Sequence, residues 1–162
     1  MYSRKSIQWK ALIISIIISM GTGFLAGLFT RDGIALYRTL NQPPFAPPGW
    51  MFPVVWPILY ALMGISAYLV FVSDSKYRKP SLILYAVQLL MNFFWPFLFF
   101  RLQAFFWSVI WISCLWSVIE AMIFLFFACR KSAGFLQIPY FLWGSLAAVS
   151  YTHLTLPTNS RV

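Results

Sequence analysis

Five long apolar runs, each almost free of charge, constrain this chain more than anything else in it. Trp9 to Phe29 carries a single charge, Lys10; Trp50 to Val72 and Ser81 to Phe100 carry none; Ala104 to Cys129 carries Glu120; Phe135 to Val149 carries none. Each bilayer crossing takes about 20 mostly apolar residues. In hydrocarbon every backbone N–H and C=O must find its partner inside the protein, which leaves helices or closed barrels. The runs are continuous rather than alternating, which argues against barrel strands. The expected fold is an all-α integral membrane protein, a bundle of five transmembrane helices. With 162 residues there is room for one such unit and no soluble catalytic domain.

Composition agrees. Only 9% of residues are charged, against about a quarter in soluble domains. The net charge of +9 raises nucleic acid as a partner, but the cations lie between the runs and not in a stripe with stacking aromatics, so no nucleic acid is expected. Their distribution reads instead as a topology signal. The amino terminus (Arg4, Lys5, Lys10), the Ser73–Pro80 linker and the Arg130–Gly134 linker hold eight of the twelve Lys and Arg residues. This bias puts the amino terminus in the cytoplasm. Cys114 and Cys129 fall in one run and read as packing residues, since two thiols make no disulfide framework. The first run is too long for the apolar core of a cleavable signal peptide.

The fifth run is short. Phe135 to Val149 gives about 22 Å of helix, less than the ~30 Å hydrocarbon core, and the polar, β-branched stretch from Ser150 does not extend it. The expected organisation is a membrane domain over 1–149 and an atypical polar tail over 150–162. The tail reads as a frameshift, truncation or non-native fusion, or else as a frayed helix end.

Few residues could carry acid–base or metal chemistry. The acids are Asp32, Asp74 and Glu120, and His153 is the one histidine. A metal site needs three or four convergent ligands, so none is expected. Gly23 and Gly27 form a small-xxx-small step suited to close helix approach. Glu120 is the one acid within a run; an acid at that depth is a functional candidate, read as a hydrogen-bonded structural acid or a proton relay. The eight tryptophans are more informative. Trp9 and Trp50, at run ends, suit the interfacial belt, whereas Trp56, Trp95 and Trp143 lie deeper. Trp56 and Tyr60 share one helical face, as do Gln88, Asn92 and Trp95, and Pro139 and Trp143. Buried amides need partners within the bundle. The pattern suits either an extended aromatic belt or an aromatic-walled cavity for a flat apolar ligand.

Longer motifs narrow the choice. Pro43-Pro44-Phe45-Ala46-Pro47-Pro48-Gly49-Trp50, with Val55-Trp56-Pro57-Ile58-Leu59-Tyr60-Ala61-Leu62-Met63-Gly64, resembles the signature of the tryptophan-rich sensory protein (TspO/MBR) family, which includes the mitochondrial translocator protein or peripheral benzodiazepine receptor. Gln88-Leu89-Leu90-Met91-Asn92-Phe93-Phe94-Trp95-Pro96, followed by Phe99-Phe100, is similar to its third-helix motif. Pro139-Tyr140-Phe141-Leu142-Trp143, then Ala147, is similar to its fifth.

The resemblance implies a five-helix bundle, often a homodimer, in a bacterial cell membrane. It would bind porphyrins, haem or drug-like aromatic ligands, with a tetrapyrrole as ligand and no cofactor required. Trp56, Tyr60, Gln88, Asn92, Trp95, Trp107, Trp143 and Ala147 would line the pocket. A first-loop lid would comprise Pro43, Pro44, Pro47, Pro48 and Trp50. Some relatives are described as degrading protoporphyrin in light, which would give Trp56 and Trp143 a catalytic part. The expected function is a membrane receptor or sensor for tetrapyrroles. A light-dependent porphyrin-degrading enzyme and a small-molecule transporter are the alternatives. The chain departs from the family pattern at Trp111, where relatives often carry an acid, and after Val149.

Overall fold

The computed structural model describes residues 6–33, 35, 44, 47–102 and 104–155; Arg4, Lys5, Pro43 and the tail beyond 155 lie outside the described residues. Five long helices form: α1 (Trp9–Phe29), α2 (Phe52–Phe71), α3 (Arg78–Pro96), α4 (Phe105–Cys129) and α5 (Lys131–Thr155). No strand occurs among the described residues. Four stretches, Trp9–Phe29, Gly49–Phe71, Arg78–Arg101 and Phe106–Cys129, are long and apolar enough to cross a membrane.

The helix ends follow local chemistry. A 3₁₀ turn, Gly49–Met51, leads into α2, where Pro53 sits in the first turn and its missing N–H costs nothing. After Pro96 the chain widens into a π turn, Phe97–Arg101, with Leu102 N–H bonding Phe97 C=O at 2.9 Å. This turn carries Phe99 into the interior, stacked on Trp95 at 5.3 Å. Arg130 is extended (φ −160°, ψ 124°) and separates α4 from α5.

The fifth helix corrects the sequence expectation at both ends. It begins at Lys131 and runs through Ser150 to Thr155, 25 residues or about 37 Å, long enough for the hydrocarbon core. Weak helix formers cost tenths of a kcal/mol each, whereas an unsatisfied backbone group in lipid costs several. The backbone requirement outweighs the side-chain preference, and Ser150 is buried.

Around the bundle the order is α1–α2–α5–α4–α3, and α3 returns to α1 through a thinner contact. The core draws Met63 and Val70 from α2, Leu89 from α3, Ile119, Met122 and Phe126 from α4, and Tyr140 from α5. The outermost helix is α1, with only Ser19 and Ala26 buried. It is held by polar contacts: Ser15 Oγ donates to Gly64 C=O at 2.7 Å, Ser19 and Tyr85 share a hydroxyl–hydroxyl bond, and Gln8 N–H donates to Tyr68 OH at 3.0 Å. Gly64 makes this approach possible, since a Cβ there would lie 2.7 Å from Ile16 Cα. The glycine step expected at Gly23 and Gly27 is only half used. Gly23 abuts the Tyr60 ring, while Gly27 has open space beside it.

Candidate functional site

That open space is a cavity of about 580 Å³ between α1, α2 and α3, in the half of the bundle where α1 ends and α2 begins. The antiparallel path brings one apolar face of each helix to it: Gly23 and Gly27 from α1, Phe52, Trp56 and Tyr60 from α2, Trp95 from α3, and Phe100 from the π turn. Thr30 and Arg31 stand at one end. The Thr30 hydroxyl already donates to Ala26 C=O at 2.7 Å, so Arg31 supplies the charge.

A second, much smaller cavity of about 30 Å³ lies on the other side of Phe52, Trp56 and Trp95. Asn92, Trp116, Tyr140, Trp143 and Ala147 border it without bordering the larger one. The three shared aromatics form a partition. Trp56 sits 5.5 Å from the Tyr60 ring on one side and 6.5 Å from the Tyr140 ring on the other. Phe52 meets Trp143 edge-on at 5.9 Å.

Behind the small cavity the polar groups satisfy one another. Asn92 Nδ2 donates to Tyr140 OH at 3.0 Å, and Tyr140 OH donates to Gln88 Oε1 at 2.9 Å. Gln88 Nε2 rests 3.9 Å from Met63 Sδ. Both amides therefore face the interior, as their cost in hydrocarbon demands. Trp116 Nε1 donates to Ser145 Oγ at 2.8 Å and Trp111 Nε1 to Met91 C=O at 2.9 Å. The buried Trp143 Nε1 has no hydrogen-bond partner among the described residues.

The residues proposed from sequence thus divide. Trp56 and Trp95 border both cavities, Tyr60 the larger, and Asn92, Trp143 and Ala147 the smaller. Gln88 borders neither and is a network residue. Trp107 is not brought to the site: it is 64% exposed on the outside of α4, because α4 turns Ile112, Leu115 and Ile119 inward. Of the lid residues, Pro43 lies outside the described residues; Pro44, Pro48 and Trp50 are exposed and Pro47 is buried, and these four line neither cavity. Cys114 is exposed rather than packed. The hydrogen bond expected of Glu120 is absent among the described residues.

Sequence reasoning missed Tyr140, Phe52 and Arg31. Tyr140 lies within the fifth-helix motif, and a tyrosine at that depth needs a hydroxyl partner, a usable signal. Nothing in the sequence singled out Phe52 or Arg31, whose parts depend on how α1 and α2 pack.

The sequence model of the TspO/MBR family matches residues 14–156. The tryptophan-rich protein TspO of Chlorobaculum tepidum is 32% identical over 152 residues, spanning 92% of this chain and 95% of the relative. The translocator protein of Bos taurus is 29% identical over 86% of this chain and 84% of its own length. The tryptophan-rich sensory protein of Cereibacter sphaeroides is 29% identical over 88% and 87%. The family match includes residues 150–156, the first part of the stretch read from sequence as an atypical tail.

Proposed function

The chain belongs to the TspO/MBR family, a multi-pass helical membrane protein of sensor or translocator type, and on that premise we propose that it is a membrane sensor for tetrapyrroles and similar flat aromatic acids. The observation that carries this reading is the larger cavity. Its volume of about 580 Å³ falls within the range that accommodates drug-sized ligands. Its walls are aromatic faces, which bind a planar macrocycle by burial and stacking. Arg31 at the mouth suits a carboxylate on the ligand's edge. The ligand would lie against Trp56 and Trp95 with its acidic edge toward Arg31. The Lys and Arg bias supports placing the amino terminus in the cytoplasm of a bacterial cell, with the cavity end outward.

The test is a titration of the reconstituted full chain with protoporphyrin in the dark, read by quenching of tryptophan fluorescence. Saturable quenching that weakens in Trp56→Ala supports the reading. Equal affinity in wild type and variant removes it.

Light-dependent porphyrin breakdown is a second reading, favoured by the Trp56 indole bordering the cavity where it could pass an electron to an excited porphyrin. Only Trp56 of the two proposed tryptophans does so; Trp143 stands beyond the partition. Illumination of the bound complex, with Trp56→Phe as control, decides it. Equal porphyrin loss in both samples would exclude a part for this indole.

A further inference from the structure

Among the described residues four tyrosines are buried, Tyr60, Tyr68, Tyr85 and Tyr140, and three of them engage their hydroxyls inside the bundle. Tyr68 OH accepts from Gln8 N–H, Tyr85 OH is bonded to Ser19, and Tyr140 OH links Asn92 to Gln88. Tyr60 is the exception. It is only 6% exposed, it borders the larger cavity, and its hydroxyl makes no hydrogen bond among the described residues. Tyr60 is also the midpoint of the span Gly49–Phe71, a depth at which lipid offers no acceptor. A buried tyrosine ordinarily finds a partner, because a hydroxyl taken from water without one is costly.

The ring has little freedom to seek a partner elsewhere. A Cβ at Gly23 would collide with its Cδ2, Cε2 and Cζ atoms, so one ring edge lies directly on the α1 backbone. The Trp56 ring stands 5.5 Å away. Arg31, the charge at the mouth, follows Gly23 by eight residues, about 12 Å along the axis. The cavity therefore has two polar poles with aromatic walls between them: a cation at the mouth and a neutral hydroxyl at mid-depth.

With a tetrapyrrole in the larger cavity, as put forward above, we propose that the Tyr60 hydroxyl donates a hydrogen bond to a carbonyl oxygen on the ligand edge opposite the carboxylates, so that the preferred ligand is an oxygenated tetrapyrrole. The acids belong at the mouth. A carboxylate at mid-depth would exchange its hydration for a single hydrogen bond, whereas a neutral carbonyl gives up far less. The pyrrole hydrogens of a macrocycle point to its centre, so a group on its edge that meets Tyr60 must accept. Protoporphyrin offers only vinyl and methyl groups there and leaves the hydroxyl unpaired.

The test pairs protoporphyrin with its diformyl analogue, in which –CH=O replaces each –CH=CH2 at nearly the same size and both propionates are kept. Each is titrated in the dark against the reconstituted full chain, wild type and Tyr60→Phe. The ratio of the two affinities is compared between the proteins, which cancels partitioning into the bilayer. The expected ratio favours the diformyl compound about fivefold to tenfold more in wild type than in Tyr60→Phe, with protoporphyrin affinity alike in both. An equal ratio overturns the proposal, while protoporphyrin binding that depends on Trp56 would leave the tetrapyrrole assignment standing. No saturable binding of either compound removes both. Thermal unfolding gives a readout without ligand. Tyr60→Phe should melt at or above the wild-type temperature, because the hydroxyl it removes has no partner. A fall as large as that of Tyr140→Phe would show a hydroxyl already bonded inside the bundle and would likewise overturn the proposal.

Discussion

The two cavities share a wall of Phe52, Trp56 and Trp95 yet differ in what surrounds them. The smaller lies among α2, α3, α4 and α5, where helices pack through large core residues and the amides are satisfied by Tyr140. The larger lies where α1 meets α2 and α3, and α1 contributes only two buried residues. Close packing leaves almost no volume on one side of the indoles, while a lightly held helix leaves room for a ligand on the other. A side chain common to both regions should affect binding and packing together, whereas one confined to either should affect only one of them.

The largest expected effect is therefore at Trp56. Trp56→Ala removes the partition and a stacking face, and should cost about 2–3 kcal/mol of porphyrin affinity, read in the dark titration. Trp143→Ala should change that affinity less than about threefold, since Trp143 does not border the larger cavity. Equal losses in the two variants would mean that the ligand spans both cavities.

Gly64→Ala tests how α1 is held. The new Cβ meets Ile16 backbone, which cannot move without α1, so a destabilisation of about 1–3 kcal/mol is expected in thermal unfolding in detergent. Porphyrin affinity should fall with it. Unchanged affinity would separate the cavity from the position of α1.

Tyr140→Phe probes the packed side alone. Loss of the hydroxyl leaves Asn92 without its acceptor and Gln88 without its donor, at a cost of about 1–2 kcal/mol. Melting temperature should drop while porphyrin affinity holds. The smallest effect is expected for Arg31→Gln, about 1 kcal/mol or less because the guanidinium is exposed. It should weaken binding of the free diacid and leave the dimethyl ester unchanged.

The run lengths and their poverty of charge determine the helical membrane fold, because lipid permits few alternatives and each run announces itself in one dimension. The start and end of α1 were legible for the same reason. Gln88 and Asn92 were legible as inward-facing, since an amide in hydrocarbon must find a partner. The end of α5 was not, because Ser150 to Thr155 resemble a polar tail by residue type, yet the helix continues through them. Nor could spacing alone divide the site. Trp56, Asn92 and Trp143 lie on three helices, and which side of the Trp56 ring Asn92 and Trp143 face depends on how α2, α3 and α5 are rotated against one another. Trp107 shows the same limit: its depth suits a pocket, but the rotation of α4 turns it outward. Periodicity along a helix decides which residues share a face, whereas the direction of that face is decided by the neighbours the helix packs against.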